Sequence, residues 1–391
     1  MKLLLVHNTY QYPGGEDIVF EREAALLREH GHTVITYTRS NAEVRDFSPA
    51  AKALLPLRMI WARDAVRDLR ALIAAEKPDV AHFHNTHFMI SPAAYTACHE
   101  AGVPVVQSLH NPRLLCPAAT FTRNDRSCQD CLGKTPPWPG ILHACYRDSR
   151  LQTAAVAAML TVHRWRKTWA TQVACHVVFT EFYRQRFIEG GLPADRLVVK
   201  PHFVTPDPLP REDEPGDYAL YMGRLEPVKG VRVLLAAWEQ AGTIPLKVRG
   251  EGPLLAEVQA LATRTATVEV IGRLSPDALT QLMRGARFLV WPSLGYYETF
   301  GLVAIEAFAC GVPVIASRTG VMAEIVTDGV TGLHFTAGDP ADLAAKVRWA
   351  WEHPAEMAEM GRAARREFEQ KYTAERNYAQ LMHIYESLLK Q

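Results

Sequence analysis

Two glutamates eight positions apart, Glu298 and Glu306, bracket the stretch with the most chemical content in this 391-residue chain. Between them lie Phe300, Gly301, Leu302, Val303 and Ile305, an apolar run that predicts a helix opening at Gly301. Gly311 ends it, Pro313 forbids its continuation, and Val312 to Ala316 reads as a buried strand. Eight residues are a little over two helical turns, so these carboxylates stand too far apart to share a proton. Their spacing suits two ends of one elongated, hydroxyl-rich ligand, with the positive end of the helix turned to a phosphate between them. The plainer alternative is a capped core helix with two incidental acids.

Cations stand at a comparable place earlier in the same half. The segment Gly223-Arg224-Leu225-Glu226-Pro227-Val228-Lys229-Gly230 follows a strand at Tyr218 to Met222 and precedes a helix. Arg224 and Lys229 at such a turn could hold a diphosphate without a metal, which suits a chain lacking an Asp-x-Asp motif. Together with Glu298 and Glu306 on one sheet edge, they describe a pocket for a sugar joined to a diphosphate.

The first half offers its own strand-end residues. Gly14 and Gly15 follow a strand at Lys2 to His7 and open a helix running from Glu16 to His30, although the loop is not GxGxxG. Two further strands, Asp79 to Phe83 and Val103 to Leu109, end in histidine-rich turns carrying His84 and His110-Asn111. Ligands of open α/β sheets bind beyond the carboxyl ends of strands. A histidine satisfied inside the core is the ordinary alternative.

Positioning these residues takes repeated strand–helix alternation, which implies parallel sheets. One series ends near residue 203, a proline-rich acidic linker spans 204–217, and a second series runs from Tyr218. The expected domains are 1–203 joined by a final helix 372–391, and 218–371. Apolar residues at 48% and charged ones at 22% are those of a globular protein. The first 200 residues hold 24 Lys and Arg against 18 Asp and Glu, so that half is basic and suits an anionic partner. No nucleic-acid-binding motif is present. Neither a leader nor a run of ~20 apolar residues is visible, so a cytoplasmic protein is expected.

Two stretches stand outside this scheme. The long proline-rich segment between Arg113 and Arg147 carries Cys116, Cys128, Cys131 and Cys145, a set that could bind a structural zinc or remain four separate thiols. His163-Arg164-Trp165-Arg166-Lys167 after the apolar helix Leu151 to Val162 could rest on an anionic membrane. A core helix with a solvated basic end is the plainer reading.

Gly-Arg-Leu-x3-Lys-Gly at 223–230, Gly250-x-Gly252-Pro253, Gly272-Arg273-Leu274 and Glu-x7-Glu at 298–306 together resemble the retaining GT-B glycosyltransferases of family 4. The resemblance covers nearly the whole chain. It implies an α/β fold of two Rossmann-like domains facing a cleft, and a nucleotide-diphosphate sugar as donor, with no cofactor required for catalysis. It also implies that Arg224 and Lys229 hold the diphosphate, Glu298 the sugar hydroxyls and Glu306 the ribose. Backbone around Phe300, Gly301 and Leu302 would face phosphate and sugar, and Arg273 and Leu274 would pass the base. Gly14, Gly15 and His110 would approach the donor, with His84 and Asn111 on the acceptor side. A glycan or lipid-linked acceptor of surface polysaccharide assembly would follow. Tyr296-Tyr297 departs from the family's usual approach to the first glutamate. A sugar-nucleotide epimerase or a non-catalytic nucleotide-sugar-binding protein on the same fold are the rival readings.

Overall fold

The computed structural model describes residues 1–11, 14–210, 216–296 and 298–390. Pro13 of the glycine loop, residues 211–215 of the linker and Tyr297 lie outside the described residues. The chain divides into two compact units. One comprises Met1–Phe121, Gln129–Pro201 and Asn377–Gln391, and the other Thr122–Cys128 and His202–Arg376.

In the first unit, β1 (Lys2–Thr9), β2 (Thr33–Ser40), β3 (Val80–Phe83) and β4 (Val105–Ser108) alternate with helices, as the hydrophobic runs predict. The 113–147 segment contributes a small hairpin, β5 (Thr122–Arg123) and β6 (Arg126–Ser127), which belongs to the second unit. Then follow β7 (Cys175–Val178) and β8 (Leu197–Val199). The sheet is parallel throughout, in the order β2-β1-β3-β4-β7-β8. Leu3 to Val6 and Val80 to Phe83 are buried without alternation, as expected of strands covered on both faces. The last helix, Ala374–Leu389, buries Asn377, Leu381, Ile384 and Tyr385, the 3.6-residue stripe of a helix lying on a core.

The second unit repeats the scheme with β9 (Tyr218–Met222), β10 (Leu246–Arg249), β11 (Val268–Ile271), β12 (Ala286–Trp291), β13 (Val314–Ser317) and β14 (Gly332–Phe335). These are again all parallel, in the order β11-β10-β9-β12-β13-β14. Each sheet therefore reverses its direction of growth once, between β1 and β3 in the first and between β9 and β12 in the second. Loops leaving the strands on either side of such a reversal splay apart and leave a crevice at the carboxyl edge.

Candidate functional site

In the second unit the crevice beside β9 and β12 receives the residues singled out from the sequence. Pro227–Lys229 forms a single tight turn after β9, and the Leu294 N–H donates to the Val228 carbonyl at 2.8 Å, tying this turn to the loop after β12. Gly230 makes the approach possible. Its φ is +71°, and a Cβ there would sit 1.9 Å from the Pro292 carbonyl oxygen. Lys229 is thereby brought onto Glu298, with Nζ 2.6 Å from Oε1.

Three donors converge on that one oxygen, because Ser293 Oγ donates at 2.7 Å and Trp291 Nε1 at 3.3 Å. Burial alone would raise the Glu298 carboxyl, but the Lys229 charge and these hydrogen bonds outweigh it and hold it below the usual range. The Trp291 ring fixes the next step of the chain as well. Gly301 has φ +99°, and any Cβ would meet Trp291 Cη2 at 2.1 Å. Gly301 is the N-cap of the helix Leu302–Ala309 and supplies no side-chain cap, so the first N–H groups of this helix depend on outside partners. Phe300 is buried behind it, edge-on to His202 and Tyr372. Glu306 lies half-buried in the second turn.

Arg224 is largely exposed and sits 2.9 Å from Glu226. Gly250 and Gly252 serve a structural purpose. A Cβ on either would strike backbone of the 223–225 loop, at 2.0 Å from the Gly223 oxygen and 2.6 Å from the Leu225 oxygen. Arg273 is exposed and paired with Glu251 at 2.7 Å, while Leu274 is half-buried.

In the first unit, Gly14 is the N-cap of the helix Gly15–Glu29, and its N–H donates to Asp17 Oδ2 at 2.7 Å. His7 Nε2 lies 2.8 Å from the other Asp17 oxygen. Tyr10 donates to Glu16 at 2.9 Å, and Asn111 reaches both, at 3.3 Å to the Tyr10 hydroxyl and 3.4 Å to the Glu16 carboxylate. Burial, only partly offset by His7 and Tyr10, pushes the Glu16 carboxyl up to about 7. Sequence reading missed Tyr10 and Glu16, since a tyrosine and a glutamate beside a glycine pair carry no distinctive spacing.

His110 is buried at the end of β4, with Nε2 3.0 Å from Nδ1 of His84. The His84 side chain has no exposed surface and is packed against Phe20, His82 and His110. Behind it stands Glu23, buried on the helix after the glycine loop.

Cys116 and Cys131 are buried, and Cys128 and Cys145 half-buried. Cys131 Sγ accepts from the Gly140 N–H at 3.2 Å. Around this segment the helices Leu55–Ile60, Trp138–Leu142 and Arg150–Trp165 pack together. They and their flanks expose Leu54, Leu57, Trp138, Leu142, Leu151 and Trp165. Among the described residues, no helix is long and apolar enough to cross a membrane.

Two doubly wound parallel sheets in one chain are the GT-B architecture, and solved structures share it. HepE from Anabaena, solved with UDP, superposes with a TM-score of 0.70 at 19% identity, over 99% of this chain and 100% of that one. Sucrose-phosphate synthase from Thermosynechococcus elongatus gives 0.73 at 18% identity over the whole of both chains. The model of the glycosyl transferases group 1 family matches residues 209–367, and that of the glycosyl transferase 4-like domain matches residues 14–202. The chain belongs to the group 1 glycosyltransferases. Among curated relatives it is 34% identical over 224 residues to an uncharacterized glycosyltransferase of Methanocaldococcus jannaschii, covering 56% of this chain and 62% of the relative. It is also 34% identical to a D-rhamnosyltransferase of Pseudomonas aeruginosa, over 40% of this chain and 42% of the relative. The matches thus span roughly two fifths to three fifths of these relatives.

Proposed function

We propose that this chain transfers a sugar from a nucleotide-diphosphate donor to a glycan or lipid-linked acceptor, with retention at the anomeric carbon. The observation that carries the reading is the cluster of Lys229, Glu298, Ser293 and the Gly301 helix start at the β9/β12 reversal. An ammonium beside uncapped helix N–H groups suits a diphosphate, and a carboxylate within reach suits sugar hydroxyls. HepE was solved with UDP and with UDP-glucose, which supports a nucleotide-sugar donor here. Relatives named for D-rhamnosyl transfer and O-antigen chain mannosyl transfer support an acceptor in surface glycan assembly.

In the proposed reaction the bond from the anomeric carbon to the β-phosphate oxygen breaks and its electron pair stays on the phosphate. Lys229 and Arg224 stabilise that charge as it develops. The acceptor hydroxyl attacks from the same face and gives its proton to the departing phosphate oxygen. Glu298, anchored by Ser293 and Trp291, orients the sugar, and Glu306 meets the ribose. His110, Gly14 and Gly15 are assigned to the donor, and Asn111 to the acceptor side, on the family resemblance. No metal takes part in the proposed transfer step.

Incubation with labelled nucleotide sugars and glycan or lipid acceptors tests the reading. Acceptor-dependent nucleotide release with an anomerically retained product supports it, whereas an epimerised donor, or binding without turnover, replaces it with the rival concerned.

Two accessory features belong to the same proposal. The four cysteines hold a structural zinc on the strength of their sequence spacing alone, since among the described residues only Glu23, His82 and His84 are gathered at ligand spacing; reduced, untagged protein free of metal would remove it. The apolar side chains exposed among basic Lys134, Arg147, Arg166 and Lys167 rest on an anionic membrane face. Equal recovery on neutral and anionic vesicles would remove that.

A further inference from the structure

Two arginines of the first unit face one aromatic ring, and neither is paired with an acid. The guanidinium carbon of Arg113 lies 5.1 Å from the centroid of the Tyr146 ring, and that of Arg147 lies 5.4 Å from it. Arg113 donates from Nη1 to the Pro117 carbonyl, and its buried Nε has no hydrogen-bond partner. Among the described residues, no carboxylate stands within ion-pair distance of either guanidinium. Glu16 feels the Arg113 charge from further off, but its carboxylate is held by Tyr10 and Asn111. The neighbouring imidazole contributes no charge. Burial, with Arg113 and Arg147 beside it, holds His87 well below its usual range and keeps it neutral.

Like charges around one ring repel, yet the surrounding chain fixes all three side chains. The Tyr146 N–H donates to Thr153 Oγ1 at 3.0 Å, its carbonyl accepts from the same hydroxyl at 3.4 Å, and its phenol lies 3.4 Å from His87 Nε2. Arg113 stands in the turn Pro112–Leu114, capped by Asn111, whose Oδ1 accepts from the Arg113 N–H at 3.1 Å. Arg147 and Asp148 have φ of +54° and +52°, in the turn between the helices Trp138–Leu142 and Arg150–Trp165. Side chains in that left-handed region are strained, and such strain gathers where a ligand is held.

Guanidiniums without a carboxylate suit a phosphate, to which each can present two parallel N–H groups. The flanks of Arg147 are apolar, with Leu142 and Leu151 both exposed. They are five and four residues away from it, so each lies within ~18 Å of its backbone. A phosphate bearing a hydrocarbon chain would set its charge on the arginines and its chain along these leucines.

We infer that Arg113 and Arg147 bind the phosphate of a lipid-phosphate-linked acceptor, with Leu142 and Leu151 along its chain. The inference narrows the acceptor proposed above, and its part in transfer rests on that reading. Binding itself does not, since every residue named lies in the first unit.

Calorimetric titration of geranyl diphosphate, geraniol and inorganic diphosphate into the intact chain, with no donor present, tests the site. The wild type should bind geranyl diphosphate at least tenfold more tightly than either of the others. Arg147→Gln removes an exposed side chain and should leave melting unchanged while weakening that binding about tenfold. Arg113→Gln should weaken it as much or more, and Arg113→Lys, which keeps the charge without the fork, should recover part of the loss. Geraniol bound as tightly as geranyl diphosphate overturns the inference, and so does equal binding by the wild type and both glutamine variants. Inorganic diphosphate bound as tightly as geranyl diphosphate overturns its lipid part. Variants that lose recovery on phosphatidylglycerol vesicles but bind geranyl diphosphate normally would give the arginines to membrane headgroups and overturn it as well. Arginine-dependent binding in a protein that transfers sugar to no acceptor would uphold this site and overturn the transferase reading instead.

Discussion

Replacing Lys229 by alanine should separate two quantities that a merely structural lysine would keep together. Its ammonium is 2.6 Å from Glu298, with 18% and 11% of the two side chains exposed. Removing one member of a fully buried pair costs about 3–5 kcal/mol. Ser293 and Trp291 remain on Glu298 and some water reaches it, so about 2 kcal/mol is expected, a fall of roughly 4–8 °C in the melting of a unit this size. Transfer should suffer more. Losing one preorganised charge from a developing oxyanion costs about 10²–10³ in kcat. The double variant Lys229→Ala/Glu298→Gln relieves the unpaired carboxylate, so most of the lost stability should return while transfer stays lost. Melting curves and initial rates on wild type, both single variants and the double variant complete the cycle. Transfer by Lys229→Ala within about threefold of wild type would refute a role in leaving-group stabilisation. Strictly additive melting shifts would refute the coupling.

Three further outcomes follow from the same geometry. Glu16, pushed up to about 7 by burial from the ordinary carboxylate range, contributes stability that is fully present below its unfolded pKa and lost as pH rises through 7. Glu16→Gln should therefore melt progressively above wild type between pH 5 and 8, by up to about 3 kcal/mol, and a constant offset would contradict this. His84 and His176, both held down to about 4 by burial, give stability that is present above pH 6.5 and lost as pH falls to 4. His176→Gln should flatten that acid limb in a pH series of denaturant titrations. Gly230→Ala, forced against the Pro292 carbonyl at positive φ, should destabilise the second unit by about 2 kcal/mol or more and weaken donor-dependent stabilisation.

The legible part of the fold was the part with unbroken apolar runs. Strands β1 and β3 beside the reversal of the first sheet, and β9 beside that of the second, are read from the sequence within a few residues. Edge strands β8 and β14 are only three and four residues long, too short for a periodic pattern to mark them. The hairpin at 122–127 is two residues on each side, fixed by its surroundings. At the site, Lys229 and Glu298 were each visible but their pairing was not, because 69 residues separate them and the contact depends on Gly230 and Pro292 closing together. Glu23 left no local sign, since its partners lie on other elements. His82 and His84 did leave one: period-two spacing at a strand end puts both rings on one face, and two buried imidazoles on one face call for a counter-charge.

The central claim is tested most directly by donor binding. A thermal-shift series with nucleoside diphosphates and their sugars, run on wild type and Lys229→Ala, isolates the proposed diphosphate site. At least one nucleotide sugar should stabilise the wild type, and Lys229→Ala should lose most of that gain. No stabilisation by any donor, or equal stabilisation of both proteins, would contradict a diphosphate held at Lys229.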